Sequence, residues 1–217
     1  MPLFPLGTVL FPGVPLPLHI FEERYRLLVR ELMDLPEGTA RQFGVVAIRE
    51  GREVGSDGVR ALYAVGCTAE LRRVEAYDDG RYDIVSTGST RFVLREVDDS
   101  LPYLQGEVDL LAERPGALTG VVAAVAELFT TYLALLGSAR GIPIDAPDLP
   151  DDALLLSYLV AATVLLDLAD KQRLLEAPDA AARLRTEVAL LHRESRLLRI
   201  LSAVPSPDIL RTAASLN

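Results

Sequence analysis

The feature that most constrains this chain is a change of period at Arg114, Pro115 and Gly116. Before it, apolar residues recur in short runs that mostly alternate. Beyond it they recur at every third or fourth position, and no strand pattern appears. Successive side chains of a strand point to opposite faces, whereas residues three and four apart share one face of a helix. The expected class is therefore α+β. A β-rich part over residues 1–115 is followed by an α-helical bundle over 116–217.

The β-rich part opens with LFPLGTVLFPGVPLPLHIFEERYRLLVREL. Pro12 presets the first inner position of a tight turn, and Gly13 accepts the positive φ needed at the next. Leu16, Leu18 and Ile20 then alternate with Pro17 and His19, as in a strand. The spacing of Phe21, Tyr25, Leu28 and Leu32 predicts a short helix. Glu22 and Glu23 favour its start, and Asp34 and Pro36 its end. Further strands are predicted at 43–48, 64–77, 82–85, 91–97 and 103–111, with an exposed loop at 51–58. Asp79 and Gly80 read as the centre of a type I′ hairpin turn. Many short strands at regular spacing suggest a small open barrel or curled sheet.

In the second part the spacing predicts a helix over 117–137, with Gly137 as its stop. Asp151 or Asp152 would cap a helix that turns Leu155, Leu159, Ala162 and Leu166 inward. A short helix is expected at 171–177, begun by Asp170. A long one follows at 179–203, with Leu184, Val188, Leu191, Ser195 and Leu198 on its inner face. The tail to residue 217 is expected to be loose.

Charge and motif content narrow the function. The chain holds 22 basic and 31 acidic side chains, a formal net charge of −9. Both parts are acidic, so neither offers a phosphate-binding face by count, and nucleic acid is not the expected partner. The single lysine, Lys171, has no glycine-rich loop near it, which opposes a nucleotide site and a serine–lysine dyad alike. His19 on a strand and His192 in a charged stretch lack triad partners in sequence. The lone Cys67 permits no disulfide and no cysteine metal site, and reads as a small core residue. No metal or cofactor is expected. The apolar stretch 117–136 is long enough to span a membrane. It contains Glu127 and Tyr132 and lacks basic flanks, so it reads as a bundle helix. No secretory signal pattern is visible. The expected location is the cytoplasm.

Three blocks carry a resemblance. The opening just quoted, with FPG, PLHIFE and RYR, resembles the start of the Lon protease N-terminal, substrate-binding domain family, in the form of its short stand-alone members. Residues 65–94, VGCTAELRRVEAYDDGRYDIVSTGSTRFVL, are similar to that family's V-G-T-x-A-x-I run, D-G-R-Y turn and G-x-x-R-F strand. Residues 169–184, ADKQRLLEAPDAAARL, resemble its K-Q-x-L-L-E segment. The resemblance implies a PUA-like pseudo-barrel followed by a helical bundle, which agrees with the division read from periodicity. It also implies protein or peptide clients. It carries over no catalytic residue, because the ATPase and serine–lysine peptidase of Lon have no counterpart here.

The candidate peptide-binding residues are Phe11, Val14, Phe21 and Tyr25, aromatic and apolar side chains around the opening turn. Phe11 is the expected anchor, since it adjoins a short turn. The expected function is a non-catalytic protein- or peptide-binding module, in the role of an adaptor for unfolded or client proteins. The alternative is a structural or regulatory domain acting through self-association of its leucine-rich helices, as a homo-oligomer. An enzyme with an unrecognised site and an RNA binder stand further back.

Overall fold

The computed structural model describes residues 1–51, 59–144 and 147–203. The loop expected at 51–58 and the tail beyond 203 lie outside the described residues, apart from Gly51. In chain order the elements are β1 (Leu3–Leu6), β2 (Pro15–Ile20), α1 (Glu23–Met33), β3 (Gln42–Gly51), β4 (Val59–Leu62), β5 (Val65–Ala76), β6 (Tyr82–Asp98) and β7 (Gln105–Leu110). Then come α2 (Val121–Arg140), α3 (Ala153–Thr163), α4 (Leu168–Leu175) and α5 (Ala180–Ala203).

The seven strands form one mixed sheet, ordered β1-β3-β5-β6-β2, with β4 on β3 and β7 on β6. The β1–β3 pair is parallel and the other pairs are antiparallel. The sheet curls until the Leu3 amide donates to the Leu104 carbonyl at 2.8 Å and the Gly106 amide to the Met1 carbonyl at 2.9 Å. These bonds close β7 onto the start of β1, as a barrel requires. Between β1 and β2 it stays open.

Strand β6 runs unbroken where two strands were expected at 82–85 and 91–97. The apolar pattern lapses there for a reason of packing. The turn at Pro12 and Gly13 lies across β6, with the Gly13 amide bonded to the Gly88 carbonyl at 2.8 Å and the Gly88 amide to the Val14 carbonyl at 2.9 Å. A Cβ on Gly88 would stand 2.2 Å from the Phe11 carbonyl oxygen, so only glycine fits. The Asp79–Gly80 hairpin is a second correction. Gly80 alone has positive φ, at 79°. The Gly80 amide bonds the Tyr77 carbonyl, and the Tyr77 amide the Arg81 carbonyl, each at 2.9 Å. That is a three-residue loop with a glycine bulge, not a type I′ turn, and Asp79 keeps an ordinary backbone.

The helical half differs in its details from the periodicity. Helix α2 runs through Gly137 to Arg140, and Gly141, at φ 67°, ends it. Gly137 is needed inside the helix because the chain folds back on it, the Ile142 carbonyl lying 2.8 Å from where a Cβ would be. Asp152 caps α3 through the Leu155 amide, at 2.9 Å. The buried face of α3 holds Leu156, Tyr158, Val160 and Ala161, while Leu155 is exposed. The inward phase of α3 is thus only partly the expected one: Leu155 is exposed, while Leu159, Ala162 and Leu166 are half-buried, Ala162 and Leu166 against the cores. Its sequence, ALLLSYLVAAT, is apolar almost all round, and periodicity cannot choose a face of such a helix. Helix α4 starts at Leu168, capped by Asp167 through the Asp170 amide at 2.8 Å, earlier than expected.

Three cores result. Phe4, Leu28, Val29, Phe43 and Ile84 fill the barrel. Val125, Phe129, Leu156, Leu184 and Leu191 fill the bundle. Val9, Phe11, Ala47, Tyr158, Leu174 and Leu190 form the seam between them. The segment where the period changes belongs to this seam as well. The Arg114 and Pro115 carbonyls accept from the Ala180 and Ala181 amides, satisfying the free start of α5. Helix α2 is long and apolar enough to cross a membrane by length and composition. Its Val125, Phe129, Tyr132 and Leu136 are buried in the bundle.

Candidate functional site: the open side of the barrel

The unclosed gap between β1 and β2 holds a cleft of about 110 Å³. Phe4 and Leu6 of β1, Leu18 and Ile20 of β2, and Tyr25 of α1 line its apolar part. At its floor the Phe4 and Tyr25 rings stack at 4.0 Å and 17°. His19, Phe21 and Glu22 stand at its mouth.

Strand geometry explains why the gap stays open. Successive residues of a strand turn their amides and carbonyls to opposite sides. The Gly44 amide donates to the Pro2 carbonyl, so the even positions of β1 serve β3 and Pro5 faces away. Val14 and the even positions of β2 serve β6, so Pro15, Pro17 and His19 face away. Proline has no N–H. Three of the positions along the two open margins therefore lack a donor, and neither margin invites strand addition.

The mouth is aromatic. The His19 and Phe21 rings lie 6.3 Å apart at 27°, and Tyr77 meets His19 edge-on at 6.2 Å. Asp83, opposite His19 in the ladder, accepts from His19 Nδ1 at 2.6 Å and from the Tyr77 hydroxyl. The Tyr77 bond, then the His19 bond, holds the Asp83 carboxyl below its usual range, and the same bond pushes the Tyr77 hydroxyl up. The Arg81 guanidinium sits 5.9 Å from the Tyr77 ring centre. Sequence reading missed this group because its members come together only across the β2–β6 and β5–β6 pairings. The sole hint was His19 beside Phe21.

The four expected binding residues part company. Phe21 is 51% exposed at the cleft mouth. Tyr25 is buried in the cleft floor, and Val14 is half-buried between the barrel core and the seam. Phe11, the expected anchor, is 1% exposed. Its ring packs 6.3 Å from that of Tyr158. The exposure expected for it was wrong: the helical half covers the turn that sequence alone left bare.

Chemically the cleft can grip an apolar side chain. His19 with Asp83 has the look of a base and its orienting carboxylate, but no serine, threonine or cysteine is hydrogen-bonded to His19 among the described residues. Cys67 is wholly buried, and burial pushes its thiol up to about 12. Burial lowers the pKa of Lys171, a group in the first turn of α4. Among the described residues, no group of three metal-ligating side chains comes together.

A second polar cluster lies in the seam. Arg91 of β6, 2% exposed, pairs with Glu113 at 2.7 Å and donates to the Leu175 and Ala177 carbonyls at 2.7 Å each. The Tyr158 hydroxyl donates to Glu113 at 2.7 Å. The Arg183 guanidinium covers the Tyr158 ring at 4.1 Å and donates to its hydroxyl at 3.1 Å. Each buried charge here has partners, as burial requires. This cluster ties the halves together.

Comparison with known proteins agrees with this architecture. The family model for the ATP-dependent protease La (Lon) substrate-binding domain matches residues 1–193. The chain is 27% identical over 212 residues to the Lon protease of Cytophaga hutchinsonii, covering 92% of this chain and 25% of that protein. It is 27% identical over 217 residues to Lon protease 2 of Myxococcus xanthus, covering 95% of this chain and 25% of that protein. It therefore spans about a quarter of the length of these relatives. Among solved structures, a Lon N-terminal domain protein from Xanthomonas campestris superposes with a TM-score of 0.65 at 25% identity, over 87% of this chain and 96% of that one. The N-terminal domain of the Mycobacterium avium complex Lon protease shares the fold, with a TM-score of 0.61 at 19% identity. The pseudo-barrel, the helical half behind it and the family match across most of the length lead to one conclusion: this chain belongs to the Lon substrate-binding domain family.

Proposed function

We propose that the chain is a recognition module that binds segments of other proteins at the open side of its barrel, as an adaptor for unfolded or client proteins. The observation that carries this reading is the exposed aromatic group of Phe21, His19 and Tyr77 at the mouth of an apolar cleft. Aromatic side chains bring large contact area at little rotamer cost, which suits them to anchor a partner. Family membership supports the binding class. The acidic balance of both halves favours protein over nucleic acid as the partner. The same reading treats residues 1–115 as the contact part and 116–217 as its support, and places the module in the cytoplasm.

The module binds without cleaving. The purified protein is expected neither to hydrolyse ATP nor to degrade casein. Turnover that survives repurification and disappears in a point variant would overturn this. For binding, a fluorescent unfolded-protein model is titrated into wild type and Phe21→Ala. Weaker binding by a variant that melts like wild type supports the cleft as the site, and equal binding removes it.

A second reading is association between copies through the end of α5, where Leu197 and Ile200 are 48% and 54% exposed. Sedimentation of wild type against Leu197→Glu tests it, a shift to smaller mass being the supporting result.

A further inference from the structure

Glu187 lies on the inner face of α5 and is 1% exposed. Both its carboxyl oxygens are shut off from solvent, and neither meets a hydrogen-bond partner. The wall around it is apolar: Val160 of α3, Val164 just beyond its end, Leu174 of α4, and Leu191 of its own helix are among its residues. No volume remains there for a water molecule. The titratable groups on the packed elements are Glu127, Tyr132 and Arg140 of α2, Tyr158 of α3, Asp170, Lys171 and Arg173 of α4, and Arg183, Arg185, His192, Arg193, Glu194, Arg196 and Arg199 of α5. Of these, Arg183 is the one whose charge is felt at the carboxyl. Three of its five N–H donors are engaged elsewhere, with the Leu174 carbonyl at 2.9 Å, Ser157 Oγ at 3.0 Å and the Tyr158 hydroxyl at 3.1 Å.

An ionised carboxylate without donors or water is strongly disfavoured in such a place, so burial favours the protonated form. Burial raises its pKa well above the carboxylate range, with Arg183 pulling the other way. Deprotonation would drag water into the junction of α3, α4 and α5. That junction is also the back wall of the seam, because Ala161, Leu174 and Leu190 touch both the Glu187 pocket and the core around Phe11.

We propose that Glu187 is a proton-operated latch: protonated, it lets α5 close on α3 and α4 and so holds the helical half against the barrel; ionised, it loosens that hold. The direction with pH follows from linkage. The folded-state pKa lies above the unfolded one, so below the unfolded value both states carry the proton and the effect vanishes. As pH rises beyond it, the folded state keeps a proton that the unfolded state has lost. Stability then falls, by up to about tenfold in the folding equilibrium per pH unit, until the folded carboxyl ionises as well. This is opposite to the trend of a salt-bridged carboxylate.

The test compares the full chain with Glu187→Gln and Glu187→Met in urea unfolding, from about pH 5 to about pH 9. The variants cannot ionise there, and the methionine suits the apolar wall. Wild type is expected to lose stability relative to both as pH rises, while the two variants stay parallel. A second readout uses Cys67, which is wholly buried and stands opposite Arg91 in the β5–β6 ladder. Its labelling by a neutral thiol reagent, compared at equal pH, should be faster in wild type than in Glu187→Met, with the ratio growing as pH rises. Three parallel stability profiles would overturn the proposal. A pH-dependent stability difference with equal labelling would overturn the link to the seam. A Glu187→Met variant that does not fold would overturn the apolar environment on which the argument rests.

Discussion

Phe11 and Phe21 belong to one opening segment, and each adjoins a turn or the end of a strand, yet the first is 1% exposed and the second 51%. The seam around Phe11 is largely buried, with charges that each find partners: Arg91 with Glu113, Arg183 with Tyr158. The mouth around Phe21 is open to solvent, with the hydrogen-bonded ladder pair His19 and Asp83 exposed beside it. The difference teaches that residue type does not distinguish a binding aromatic from a structural one here. What distinguishes them is whether a distant part of the chain returns to cover the ring.

Single substitutions put this contrast to the test. Phe11→Ala should cost the most, about 3–5 kcal/mol in urea unfolding, as for other fully buried phenylalanines. A loss below about 1 kcal/mol would mean that the seam is not a core. Glu113→Ala should follow, at about 3 kcal/mol, because it leaves the buried Arg91 without its carboxylate. A near-neutral result would show that the Leu175 and Ala177 carbonyls suffice for the guanidinium. Gly88→Ala should cost about 1–3 kcal/mol, since its Cβ would collide with the Phe11 carbonyl and push the opening turn off β6. An unchanged denaturation midpoint would place that turn elsewhere. Phe21→Ala should be smallest in stability, within about 0.5 kcal/mol, while its effect on binding is the largest of the four. A large loss of stability would make Phe21 structural and erase the contrast.

Much of the architecture was legible in advance. The strand and helix periods, the turn at Pro12 and Gly13, the start of α1 and the inner face of α5 follow from local rules. Gly13 takes positive φ, at 79°, and the Val14 amide bonds the Phe11 carbonyl at 3.2 Å, as a turn of that composition should. Less of the candidate site could be read. Of its aromatic group only Phe21 was singled out. His19 was seen as a lone strand histidine, and Tyr77 and Asp83 were not connected with it, because antiparallel register joins residues far apart in sequence.

Local sequence set which segments become strands and which become helices, since backbone sterics and apolar period act within a few residues of each position. It also determined the family, through motifs spread along the chain. Only the tertiary structure decided the inward face of α3, whose nearly uniform apolar surface leaves the choice to its neighbours. Only it decided that the barrel closes at β7 and stays open at the proline-lined margins. And only it buried Phe11, Arg183 and Glu187 while leaving Phe21 bare. Burial depends on what the rest of the chain brings to a residue, and no local rule carries that information.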